Sequence, residues 1–127
     1  MEVWTKICWL GLAAVHAAPA LSVFHPALLE RLYGIRSEGD LRVLLLHRGA
    51  LFLVIVIAAL WAAFDPATRR MASVLVATSV LAFLVLYAAQ GESSEALRGV
   101  AMVDLAALVP LAVVLIEAWR RHPAALT

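Results

Sequence analysis

The side chains of this chain best able to do chemistry are His16, His47, Arg48 and Asp104, and each is set inside a long apolar run. An ionisable group at that depth in a bilayer costs about 2.5–3.5 kcal/mol on insertion scales, so such groups face one another, a cavity or a ligand. Arg48 and Asp104 are the natural pair. Joined across two helices they would fix register as a buried salt bridge. Left open, Arg48 would hold a phosphate or carboxylate while Asp104 orients it or handles a proton. His16 and His47 admit three readings: hydrogen bonds that tie neighbouring helices, proton transfer near neutral pH, and bis-histidine ligation of a b-type haem or a quinone site. The chain has no HxxxH or ExxH spacing for a metal cage, so no metal is expected and haem is an alternative only. Tyr87 and His25 fall near the same end of the chain's spans and complete the candidate ligand-binding cluster.

The elements that must position these groups are read from composition. Of 127 residues, 65% are hydrophobic, with a mean hydropathy of +0.95. Soluble domains hold about 45–50% apolar residues, and a chain this short has too much surface to hide the excess. A bilayer is the matching solvent. Four apolar stretches, Trp4–Phe24, Leu41–Phe64, Pro66–Tyr87 and Ala96–Trp119, each approach the ~20 residues that cross ~30 Å of hydrocarbon. Backbone groups in lipid must bond within their own segment, so each stretch is expected to be a helix. The fold class is therefore all-α, an integral membrane four-helix bundle in one transmembrane domain covering residues 1–127. Met1–Ala20 also has the lysine, apolar run and small-residue ending of a secretory signal, but we read it as a retained first helix.

Local punctuation supports these limits. Asp65-Pro66 offers an N-cap followed by proline in the first helical position. Gln90-Gly91 offers a C-cap, and Ser93 or Ser94 followed by Glu95 opens the last span. Pro19 and Pro110 lie within apolar runs and are expected to kink or end their helices. Between the first two spans, Leu28, Leu29, Leu32 and Tyr33 share a face opposite Glu30 and Arg31, which predicts a short interfacial helix. Gly11, Ala14 and Ala18 form a small-residue stripe suited to close helix packing.

Four spans place both termini on one side with the Asp65–Arg70 turn. That side carries Lys6, Arg69, Arg70, Arg120 and Arg121, which by the positive-inside rule makes it cytoplasmic. The opposite side mixes Arg31 and Arg36 with Glu30, Glu38, Asp40, Glu92 and Glu95. Arg42, Arg48 and Arg98 near that second side level the raw count. Arg42 and Arg98 are read as snorkelling interface residues, and His122 as a solvated residue near the cytoplasmic end. Trp4, Trp9, Trp61 and Trp119 all fall toward the cytoplasmic side, as an aromatic belt would. At 1.5 Å per residue, His47 and Arg48 lie ~10 Å in from the other side and Asp104 ~12–14 Å. His16 sits in the same half, so the unusual polar groups converge there.

The run Leu32–Ile35 (LYGI), the run Leu44–Phe52 (LLLHRGALF), the helix 4 segment Arg98–Leu108 (RGVAMVDLAAL), and His16 with Pro19 resemble a family of small bacterial four-helix membrane proteins, over nearly the whole chain. Members of that family often carry the label phosphopantetheine adenylyltransferase. The soluble transferase of that name uses an HxGH motif and an α/β nucleotide site. This chain has no HxGH and no glycine-rich phosphate loop, so nucleotidyltransferase activity is not expected. The resemblance implies a bacterial inner-membrane protein and supplies no reaction.

Net charge is +1 and there is a single cysteine, Cys8. Neither a nucleic-acid partner nor an internal disulfide or CxxC relay is expected. What stays open is a non-enzymatic bundle, as a homo-oligomer or a subunit of a larger membrane complex, against a site for an anionic, lipid-like amphiphile open to the periplasmic side. Four-helix drug exporters carry a membrane carboxylate in their first helix, which this chain lacks within its span.

Overall fold

The computed structural model describes residues 2–34, 36, 38–91 and 95–120. Ser93, Ser94, Glu92, Ile35, Arg121 and His122, used in the sequence reading above, lie outside them. The described residues are almost entirely helical. In chain order the helices are α1 (Glu2–Leu21), α2 (Ala27–Tyr33), α3 (Gly39–Phe64), α4 (Arg69–Gln90) and α5 (Glu95–Arg120), with a 3₁₀ turn at Pro66–Thr68 between α3 and α4.

Three helices are long and apolar enough to cross a membrane. They cover Gly39–Phe64, Pro66–Gln90 and Glu95–Arg120, with mean hydropathies of 2.5, 2.2 and 2.5 over their best stretches. Only 11%, 22% and 22% of those stretches are buried within the chain. Large apolar side chains such as Val43, Leu44, Val54, Leu86 and Val109 therefore point outward. Such a surface is stable only against an apolar surround. The fourth expected span, α1, differs in kind. Lys6, His16 and Pro19 dilute its hydropathy, and Thr5, Trp9, Leu12, Ala13, His16 and Ala20 are buried against the other helices. Its opposite face, with Val3, Trp4, Ile7, Leu10 and Leu21, is exposed like those of the other long helices.

The long helices meet in a cycle: α1 lies against α3 and α5, and α4 against α3 and α5. The core runs along this cycle through Trp9, Leu12, Ala59, Ala62, Ala63, Val76, Val80, Leu111 and Val114. Its alanines let the helices approach closely. Trp9 is 0% exposed, so it belongs to this core and not to an interfacial belt, while Trp4, Trp61 and Trp119 remain exposed. Its position on the same face as Leu12, Ala13 and His16 explains the difference: helical rotation turns it inward.

Pro19 does not end α1, which runs on to Leu21 before a turn closed by Ser22 and Val23 onto Pro19 and Ala20. Pro110 is likewise inside α5. The short helix α2 forms where amphipathic spacing predicts one, and Gly34 closes it at φ +63°. The Asp65 carboxylate accepts from the Ala67 amide at 3.0 Å, but α4 proper begins only at Arg69, because the proline turn winds as 3₁₀ first. Gly11, Ala14 and Ala18 are exposed, so that stripe is not used for packing inside the chain.

The closest approach between α1 and α3 fixes their register. A Cβ placed on Gly49 would lie 2.5 Å from Ser22 Oγ and 2.9 Å from the Pro19 carbonyl oxygen. Only glycine fits at that distance. The end of α1 is therefore level with Gly49, and the first turns of α3 project past it. The space beside this projection is occupied by α2, which packs on α1 and α5.

Candidate functional site

At this end of the molecule a cavity of about 350 Å³ opens between α1, α2, α3 and α5. Val15, His16 and Pro19 of α1, Leu32 and Tyr33 of α2, Arg48 and Phe52 of α3, and Val100, Val103 and Asp104 of α5 line it. Its volume is in the range of small-molecule sites. Its walls are mostly apolar, with two charged side chains among them. Gly99 and Val103 on its edge are exposed, so the cavity opens along the outer face of α5.

Arg48 is positioned by aromatic rings from three helices. Its guanidinium carbon lies 5.3 Å from the centroid of Tyr33, 5.0 Å from Phe52 and 5.6 Å from Phe83. Phe52 follows Arg48 by four residues, so both lie on one face of α3. Tyr33 arrives from α2 and Phe83 from α4. Contacts of this kind stabilise a cation by about 0.5–2 kcal/mol each, depending on desolvation. Such contacts use none of the guanidinium's five N–H donors as conventional hydrogen bonds. Among the described residues no protein acceptor takes them.

Asp104 faces the same cavity from α5. The salt bridge with Arg48 expected from the sequence is not closed: among the described residues no ion pair within 4.0 Å joins the two. Asp104 also accepts no hydrogen bond from a described residue, and the Tyr33 hydroxyl, on the cavity's α2 wall, has no protein partner there either. A polar group in an apolar enclosure without a partner is costly. All three groups face one cavity with polar atoms accessible to it.

His16 belongs to the wall in a different way. Its Nδ1–H donates to the Leu12 carbonyl at 2.9 Å, and its Nε2 is engaged by the Ser79 hydroxyl at 3.3 Å. Its ring also leans on Phe52, with centroids 5.5 Å apart at 41°. Both nitrogens are thus tied to protein, which joins α1 to α4 and sets the ring against Phe52.

The remaining sequence candidates stand elsewhere. His47 is exposed on α3 and does not line the cavity. It precedes Arg48 by one residue, a 100° rotation, and so faces outward. It is also not level with His16, because His16 is opposite Phe52, about 7–8 Å further along α3. Depth counted from helix starts misses this, since α3 begins well beyond the end of α1. His25 is exposed in the turn before α2, and Tyr87 stacks on Phe83 at 6.1 Å, outside the cavity lining. Among the described residues no three His, Cys, Asp or Glu side chains converge into a metal site. Tyr33, Phe52 and Phe83 were missed as site residues. The spacing of Arg48 and Phe52 could have revealed one of them; Tyr33 and Phe83 come from distant elements.

At the opposite end another arginine behaves differently from the solvated rim expected there. Arg69 is 4% exposed. Its guanidinium donates to both Glu2 carboxylate oxygens, at 2.6 and 3.2 Å, and to the carbonyls of Ala62 and Ala63 at 2.8 and 3.3 Å. It ties the start of α1 and the end of α3 to the start of α4. Beside it, Arg70 donates to the Ala118 carbonyl at 3.1 Å and lies over Trp119, whose indole donates to Ser73.

Among known proteins, no family model matches this chain, no curated protein is similar to it, and no solved structure matches it. The functional reading therefore rests on the residues themselves.

Proposed function

We propose that this is an integral membrane protein of four spanning helices that binds an amphiphile in the lateral cavity, with the anionic part of the ligand on Arg48 and its apolar part along Val15, Val100 and Val103. One observation carries the reading: Arg48 and Asp104 share a mostly apolar cavity, and neither has a protein hydrogen-bond partner among the described residues. The opening beside exposed Gly99 and Val103 gives a lipid-like molecule a lateral route in from the surround. The arrangement supports binding, presentation or transfer of such a molecule more than bond-breaking, because His16 is tied to protein at both nitrogens.

The resemblance and the charge pattern favour the bacterial inner membrane, with both termini cytoplasmic and the cavity in the periplasmic half. Lys6, Arg69 and Arg70 lie at the cytoplasmic end in that orientation. The test is native mass spectrometry of protein purified in a mild detergent. An amphiphile should remain bound to wild type and be lost from Arg48→Gln. Equal retention by both proteins, or none by wild type, defeats the reading.

A second reading is assembly with another copy or a larger membrane complex. The exposed stripe of Gly11, Ala14 and Ala18 favours it, since small residues on an outward helix face allow close approach of another helix. Ala14→Leu would then shift the size of the detergent-solubilised particle by one oligomeric step, as read by light scattering.

A further inference from the structure

The charge balance of the cavity narrows the ligand beyond "anionic amphiphile". We propose that the cavity selects a head group carrying both a phosphate and a primary ammonium, with the phosphate on Arg48 and the ammonium on Asp104. This rests on the amphiphile reading above.

Arg48 alone would suit any anion. Asp104, however, faces the same enclosure with no protein donor satisfying it. A head group of purely negative charge would set a second anion near that carboxylate in a low-dielectric space, where repulsion is weakly screened. A zwitterion instead offers a partner to each side, and buried charges are tolerated when each is paired and hydrogen-bonded. The Tyr33 hydroxyl, unpartnered on the α2 wall, adds a donor for a phosphate oxygen.

The aromatic rings decide between types of ammonium. A quaternary ammonium has no N–H to give a carboxylate and is recognised mainly by aromatic faces. Here the rings of Tyr33, Phe52 and Phe83 are already covered by the Arg48 guanidinium. A second cation brought to those faces would be set against the guanidinium. A primary ammonium has three N–H donors and matches the open Asp104 carboxylate. The apolar walls at Val15, Val100 and Val103 favour the head group attached to acyl chains over the same head group free in water.

The experiment is competitive native mass spectrometry, with binding constants from titration, using dihexanoyl lipids with phosphoethanolamine, phosphocholine and phosphoglycerol heads, and soluble phosphoethanolamine. Wild type should bind the phosphoethanolamine lipid about tenfold more tightly than either other lipid, the size of one charge-assisted hydrogen bond. It should also bind that lipid more tightly than free phosphoethanolamine. Asp104→Asn should abolish the preference over phosphoglycerol while keeping affinity for the phosphate, and Asp104→Glu should restore part of the preference. Equal or tighter binding of phosphoglycerol or phosphocholine by wild type overturns the head-group assignment and leaves the amphiphile site standing. Tightest binding of free phosphoethanolamine overturns the lipid source. Failure of wild type to bind any of the lipids removes both. The wild-type preference is read without any variant, so poor folding of Asp104→Asn cannot shield the proposal.

Discussion

Arg69 and Arg48 are both arginines drawn into the interior of a helical assembly, one at each end, and they are satisfied in opposite ways. Arg69 directs its donors at a carboxylate and two helix-terminal carbonyls. Arg48 sits among three aromatic rings and lines a cavity. The first arrangement is complete without anything outside the chain. The second leaves the guanidinium donors without a protein acceptor among the described residues. An arginine whose donors end on protein is part of the frame; one seated among rings keeps its donors free, which is what the proposed binding role requires.

This contrast can be broken most forcefully at the frame. Arg69→Ala leaves the Ala62 and Ala63 carbonyls at the end of α3 without their donor and removes the contact to the half-exposed Glu2 carboxylate, and should cost about 2–4 kcal/mol, at about 1–3 kcal/mol for each buried acceptor left unsatisfied. Unfolding in a denaturing-detergent titration measures it. A loss below about 1 kcal/mol, the range of exposed ion pairs, would erase the difference between the two ends. Gly49→Ala comes next. Its new methyl group meets the Pro19 carbonyl and Ser22, so the α1–α3 contact must open, at about 1–3 kcal/mol for an overpacked site. Because that contact positions His16 against Phe52, ligand retention should fall along with stability. Arg48→Gln should have the smallest effect on stability, within about 1 kcal/mol, because lost ring contacts are offset by relief of a partly buried charge. It should nevertheless release the bound amphiphile. A stability loss matching that of Arg69→Ala would make Arg48 a frame residue instead.

The sequence made the helices legible because hydrophobic length is a strong signal. The spacing of Leu28, Leu29, Leu32 and Tyr33 located the short helix α2, and Asp65-Pro66 located the entry to the third span to within a few residues. His16, Arg48 and Asp104 were recognisable as a cluster because polar groups in apolar runs are few. The facing of His47 was not recognisable, since one residue of rotation separates it from Arg48 and both are polar. Arg69 was not recognisable as buried, because a basic residue at a helix start normally reads as a solvated rim. Its burial depends on Glu2, 67 positions away. The aromatic seat of Arg48 was similarly hidden. It draws on α2, α3 and α4 at once, and apolar residues in a membrane segment carry no mark of the one ring that meets a charge.

The unpaired indole of Trp9 has a kinetic consequence. Its N–H is buried and has no hydrogen-bond partner among the described residues. With no such bond to hold that proton, exclusion of water is what protects it from exchange with deuterium. Trp4 and Trp61 lie at the surface and Trp119 donates to Ser73. The slowest of the four indole protons should therefore time the opening of the helix core, independently of events at the cavity. A ligand that fills the cavity without tightening the core would leave that clock unchanged.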